Sequence, residues 1–202
     1  MNIINPIDAA ESNTGLAAMK DYAWTGSRMI NVLNPDPDDM ILSEIAVGLS
    51  RETRYGGAAT SIPWSVAQHS LLCDEYAEED GVTSPEIRLA LLLHDAPEYM
   101  LRDMISPVKE HLPDYRGLES VWWTALARKF DLPVKMPGIV KHYDMLAAAS
   151  EKKTLISPEA GEWPGLPDAR LIPAHLLTLS PREAEGLFRA AVLREIRRDR
   201  RK

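Results

Sequence analysis

A chain of 202 residues can bury one sizeable core, so one domain is expected rather than several. The net charge of −7 argues against a protein whose main work is gripping duplex phosphate, since that binding neutralises many phosphates with Lys and Arg; no nucleic-acid partner is expected. With 45% hydrophobic and 26% charged residues, and a longest aliphatic run of only Leu89–Leu93, the composition is that of a soluble globular protein with no membrane partner.

The first residues, MNIINPIDAAESNTG, lack the basic start and apolar stretch of a signal peptide. The lone cysteine, Cys73, allows no intrachain disulfide, and a reducing cytoplasm is expected. It also removes thiolate clusters from consideration, so a metal here is expected to use His, Asp and Glu. The basic run Arg194–Lys202 reads as the solvated end of a terminal helix.

Residues 1–37 are expected to be a partly ordered N-terminal extension, and residues 38–202 a single domain. Within the former, WTGSRMINVLNPDPDD (Trp24–Asp39) alternates weakly and breaks at prolines, which predicts a short hairpin or an extended edge. From Asp38, the residues Ile41, Leu42, Ile45, Ala46 and Leu49 recur at three and four, predicting a helix that ends near Gly56-Gly57. The next helix is predicted from about Pro63 to Glu79, with Val66, His69, Ser70, Cys73 and Ala77 on one stripe. Thr83 or Ser84 can cap the following helix, with Pro85 in its first turn, and the run through Leu93 is apolar nearly all round, as in a central buried helix. Pro97 lacks an N–H and predicts a break at Ala96.

After the loop MISPVKEHLPDYR, a helix over Leu118–Phe130 is predicted to turn Val121, Trp122, Ala125, Leu126 and Lys129 to one side. Trp122 and Trp123 read as filler of the core and of an interface. A helix from about Gly138 carries Ile139, Val140, Asp144, Ala147, Ala148 and Glu151. SPRE (Ser180–Glu183) forms a capping box before a last helix that buries Ala184, Leu187, Phe188, Ala191 and Val192. The fold class is therefore all-α, with at most a short N-terminal β-hairpin beside the helices.

His69, His94, Asp95 and Asp144 each sit on, or at the end of, the apolar stripe of a predicted helix. Taken singly, such a histidine is more often a satisfied core residue and such an aspartate a cap. As a set, two imidazoles and two carboxylates suit one divalent ion, whether Mn, Co, Fe, Zn or Mg, and leave coordination positions for water and substrate.

The segments QHSLL around His69, LLLHDAPE around His94 and Asp95, and KHYDMLAAASE around Asp144 resemble the H…HD…D signature of the HD-domain metal-dependent phosphohydrolases. HDAPEYMLRDMISPVK is similar to the HD-x-x-E…D…[ST]-P-V-K segment of the bacterial HD-domain 5′-deoxynucleotidases. The resemblance runs roughly from Leu49 to Ser157. It implies an HD-domain helical bundle and removal of the 5′-phosphate from (deoxy)nucleoside monophosphates, with His69, His94, Asp95 and Asp144 holding one metal. It further implies that Arg54 grips the phosphate, with Lys109 helping to offset charge and Asp95 and Arg54 sharing in catalysis. Glu98 is to orient the nucleophile or protonate the leaving oxygen, Asp103 to bond the sugar hydroxyl, and Tyr55 to stand where the relatives carry Trp. The same relatives suggest a homodimer, with the Trp122-Trp123 pair as an apolar interface. Two alternatives stay open: hydrolysis of another nucleotide phosphoester or pyrophosphate, and a nucleotide-binding module without turnover.

Overall fold

A computed structural model describes residues 19–200; the first eighteen residues of the expected N-terminal extension and the last two of the basic tail lie outside the described part. The described chain is mostly helical with one two-stranded sheet, as the periodicity predicted. The expected hairpin forms from β1 (Tyr22–Trp24) and β2 (Met29–Asn31), antiparallel, with Ala23 opposite Ile30. Ile30 is completely buried and Trp122 Nε1 donates to the Val32 carbonyl at 2.8 Å, so this short sheet is fastened to the helical core.

After a 3₁₀ turn at Pro37–Asp39, α1 spans Leu42–Arg51, shorter than the predicted helix because Glu52 and Thr53 are already extended. Helix α2 (Val66–Glu79) opens on a capping box in which Ser65 and Gln68 satisfy each other's backbone N–H groups, a device that contributes about 1 kcal/mol. Helix α3 (Pro85–Leu93) is capped by Ser84 and stops at His94. A turn through Pro97 leads into the four-residue α4 (Glu98–Leu101), so the proline breaks the helix where it was expected to. The predicted loop after Met104 contains another single turn, α5 (Ser106–Lys109).

Helix α6 (Pro113–Phe130) starts earlier than the apolar period suggested. Its buried face is Trp122, Trp123, Ala125, Leu126 and Ala127, whereas Val121 and Lys129 are exposed, which corrects the predicted stripe by one position. Both tryptophans are buried within the chain, with Trp123 Nε1 donating to the Val134 carbonyl at 2.8 Å. They therefore fill the core, the first of the two roles expected of them. Helices α7 (Gly138–Leu155), α8 (Ala174–Leu177) and α9 (Pro181–Asp199) complete the order. The capping box at Ser180 and Glu183 is present with both bonds, but Leu187 is exposed rather than buried.

The core is one continuous cluster in which α2 and α3 pack together; α7 lies against both, and α9 crosses α1, α2 and α3. Helix α1 leans on α4 through Gly48, where a Cβ would come within 2.7 Å of Tyr99 Cβ. That close approach holds the turn that carries Glu98. No helix of the described residues is long and apolar enough to cross a membrane.

Candidate metal centre

Helices α2, α3 and α7 bring their polar inward residues to one place. His69 is fully buried in α2, and its Nδ1 lies 2.7 Å from Glu151 Oε1, so this nitrogen donates to the carboxylate. Its Nε2 faces Asp144 Oδ1 at 3.3 Å and Asp95 Oδ2 at 3.6 Å. His94 stands at the end of α3 with Nδ1 at 2.8 Å from the Leu91 carbonyl. A carbonyl only accepts, so that nitrogen carries a proton, and Nε2 turns its lone pair toward Asp95 Oδ2 at 3.3 Å. His94 Nε2 is buried and has no hydrogen-bond partner. An orphaned imidazole nitrogen costs free energy unless something electrophilic faces it, and a metal ion fits that requirement.

A metal held by His, Asp and Glu alone is the expectation from the sequence, and the structure corrects it by adding sulfur. His69, Cys73 and His94 each offer a ligand atom, and these atoms lie within 4.8 Å of one another, a cluster that could hold a metal ion. Cys73 Sγ is 3.7 Å from His69 Nε2. The thiol sits one turn beyond His69 on the same face of α2, and burial pushes its pKa up, which favours the neutral form.

Glu151, which the sequence sets on the same helix as Asp144 without a functional role, is the hub of the site. It is fully buried and collects four donors: His69, Trp64 Nε1 at 2.8 Å, the Tyr55 hydroxyl at 2.6 Å and Arg54 Nε at 3.2 Å. Burial works to raise its carboxyl, but Arg54 and His69 overcome this and hold it at about 2. It is a positioning residue that fixes the tautomer and orientation of His69. Two turns of helix separate it from Asp144, so both project from one side of α7; that shared side was the signal available in the sequence.

Arg54 lies in a 3₁₀ turn before α2 and also donates from Nη1 to Asp95 Oδ2 at 3.2 Å. Tyr55 beside it has φ of 59°, the left-handed region that a bulky side chain rarely adopts. Two bonds hold it there: its hydroxyl to Glu151, and its N–H to Asp103 Oδ2 at 3.1 Å. Although burial raises Asp95 and Asp144, His94, His69 and Arg54 together keep both carboxyls well below the usual range. For His69, burial and Arg54 act downward, yet Cys73, Glu151 and Asp144 carry it well above its ordinary value. The cluster thus attracts positive charge.

Glu98 behaves in the opposite way. Burial, followed by repulsion from Asp95 and Asp103, pushes its pKa well up, and its Oε2 has no hydrogen-bond partner. Lys109 approaches Glu98 only to 3.8 Å and is paired with Glu119 at 2.7 Å. His94, Asp95 and Glu98 line a cavity of about 260 Å³, closed on one side by Trp123 and Met136. Arg54, Tyr55 and Asp103 line a second of about 570 Å³. All the residues singled out from the sequence therefore lie at or beside this cluster, Lys109 at its edge. His142 and His111 are exposed, and His175 pairs with Glu75 on the surface.

No protein-family model matches the chain. It is 32% identical over 154 residues to the uncharacterized protein YfdR of Escherichia coli strain K12, covering 75% of this chain and 82% of that one. It is 35% identical over 172 residues to an uncharacterized protein of Rhodobacter capsulatus, covering 79% of this chain and 88% of that one.

Proposed function

The chain belongs to the family of Escherichia coli YfdR and its Rhodobacter capsulatus counterpart, and we propose that it is an HD-domain metal-dependent phosphohydrolase that removes the 5′-phosphate of nucleoside or deoxynucleoside monophosphates. The observation that carries this reading is the buried meeting of His69 Nε2, the unpaired His94 Nε2, Asp95 and Asp144 beside a neutral-leaning Glu98 and the Arg54 guanidinium. His69, His94, Asp95 and Asp144 would hold one divalent ion, with Cys73 behind His69. When bound, the ion supplies Lewis acidity, which makes water acidic enough to serve as a nucleophile near neutral pH.

The chain's own groups account for the remaining chemistry. Glu151 keeps the His69 ring in register. Arg54 offsets the charge of the phosphate oxygens, a task suited to a planar guanidinium already held on two sides. As water adds to phosphorus and the bond to the 5′-oxygen breaks, Glu98 gives its proton to the leaving oxygen; the proton released by the attacking water restores it. Asp103, fixed by the Tyr55 N–H, accepts from a sugar hydroxyl. Lys109 adds positive charge beside Glu98.

The test is release of phosphate and pyrophosphate from a panel of nucleoside mono-, di- and triphosphates by protein reconstituted with Mn²⁺, Co²⁺ or Zn²⁺. Phosphate from the 5′-monophosphates is expected. Metal retention with no phosphate from any monophosphate would overturn the reading, and pyrophosphate release alone would move it to another nucleotide bond.

A further inference from the structure

The cavity of about 570 Å³ extends from Arg54 and Asp103 to a wall that lies outside the resembling part of the sequence: Trp163, Pro164 and Leu166, in the segment between α7 and α8. Tyr55 and Trp163 form an aromatic corner there, with ring centroids 5.8 Å apart and planes inclined by 49°. The Tyr55 ring is fixed at its hydroxyl by Glu151 and at its backbone by Asp103, so the corner is built before any ligand arrives. Met104, Ile105 and Pro107 complete the apolar lining.

We infer that this cavity is a nucleobase subsite, in which the base of the substrate packs on the Tyr55–Trp163 corner while the phosphate lies toward Arg54. The inference deepens the proposed function and rests on it for the direction of the substrate. Three features carry it. Arg54 links the cavity to the cluster, since it lines the one and bonds Asp95 of the other. Its charged groups, Arg54 and Asp103, belong to the end nearest the cluster, so a ligand that suits it is charged at one end and flat and apolar at the other. Its size is in the range that takes a small organic ligand. Away from Arg54 and Asp103, the polar groups of the lining side chains are the Ser106 hydroxyl, the Trp163 indole N–H and the Tyr55 hydroxyl, the last already committed to Glu151, and these are too few to read the varied edges of four bases. Stacking tolerates any base. The site is therefore expected to accept purine and pyrimidine nucleotides with little discrimination.

Two measurements test this on the full chain with metal bound. The first is calorimetric titration with 2′-deoxyadenosine and thymidine, which have no phosphate; the second is phosphate release from dAMP and dTMP against 2-deoxyribose 5-phosphate, which has no base. Trp163→Ala is expected to weaken nucleoside binding about tenfold, by the loss of one stacking face. It should lower kcat/KM for dAMP and dTMP about tenfold more than for the base-free substrate, and Trp163→Phe should restore most of both. Equal nucleoside binding by the wild type and Trp163→Ala, no nucleoside binding at all, or an equal fall for all three substrates would overturn the subsite. If nucleosides bind through Trp163 but no monophosphate is hydrolysed, the hydrolytic reading fails and the subsite stands. If all three substrates are hydrolysed alike and Trp163→Ala changes nothing, the reverse holds.

Discussion

Two charge networks with buried centres pack against α2, and they differ in whether they are complete. At one, Asp74 is gripped by Arg88 and by Arg194, while Glu195 takes Arg194 Nε at 2.6 Å and Arg198 Nη1 at 2.9 Å. With Glu78 at 3.3 Å from Arg88, three guanidiniums meet three carboxylates. No buried atom of Asp74, Arg88 or Glu195 lacks a partner. At the other, Asp95, Asp144 and Glu151 face one buried guanidinium, Arg54, the His69 ring that all three touch, and Lys141 at the rim, and His94 Nε2 is unpaired. A balanced network serves the fold and asks for nothing more. One that balances its carboxylates only by protonating a buried histidine, and that holds an unused lone pair, has room for a cation.

The sharpest way to break this contrast is Asp144→Asn. If the open cluster is a metal site, retained metal measured by elemental analysis falls to background while the thermal midpoint of the metal-stripped protein stays close to wild type. Metal content unchanged from wild type would return Asp144 to an ordinary surface acid.

Glu98→Gln is expected to keep the metal and lose activity by about 10²–10⁴-fold, the usual contribution of a positioned proton donor. The pH profile adds a sign. Because the Glu98 pKa is raised, the protonated form that donates is present at low pH and is lost as pH rises through its value in the folded protein, so activity falls on that side. The Gln variant should lack this alkaline limb, and a profile that keeps it would assign the limb to another group.

In the closed network, Asp74→Asn leaves Arg88 and Arg194 without their shared carboxylate and is expected to cost about 3–5 kcal/mol in denaturant unfolding, with metal content unaltered. Glu151→Gln gives the smallest effect. It keeps the shape of the hub but weakens the hold on His69, and metal affinity by competition with a chelator should drop about 10–100-fold. A loss of stability as large as that of Asp74→Asn, without any change in affinity, would make Glu151 a structural residue.

Much of the open cluster could be read in advance, because His69, His94, Asp95 and Asp144 interrupt apolar stripes, and a polar residue in that position needs a partner. The helices were legible for the same reason, together with the Ser-Pro starts of α3 and α9. Val121 and Lys129 were misplaced because periodicity fixes a face only to within about one residue, and a Trp-Trp pair satisfies either choice. Glu151 shares the Asp144 side of its helix, which the spacing shows, but the polar run SEKK around it gives no sign of what the acid bonds. Its partners Arg54, Tyr55 and Trp64 come from a turn and a loop far away in the chain, so only the fold reveals them. A lone cysteine cannot build a thiolate cluster, but the place of Cys73 one turn after His69 puts it on the inward face of α2.

The absence of a side chain at Gly48 has a consequence for how the molecule breathes. Helix α4 is four residues long and has no helical stability of its own, so it stays formed because α1 rests against Tyr99. The candidate metal ligands hang on α2, on the end of α3 and on α7, which are packed together without its help. A fluctuation that lifts α1 would therefore release Glu98 while the ligands stay in place. The amides of residues 98–101 should exchange with solvent in step with α1 and ahead of α2 and α7, and under the proposed function a molecule in that state would keep its ion and pause its chemistry.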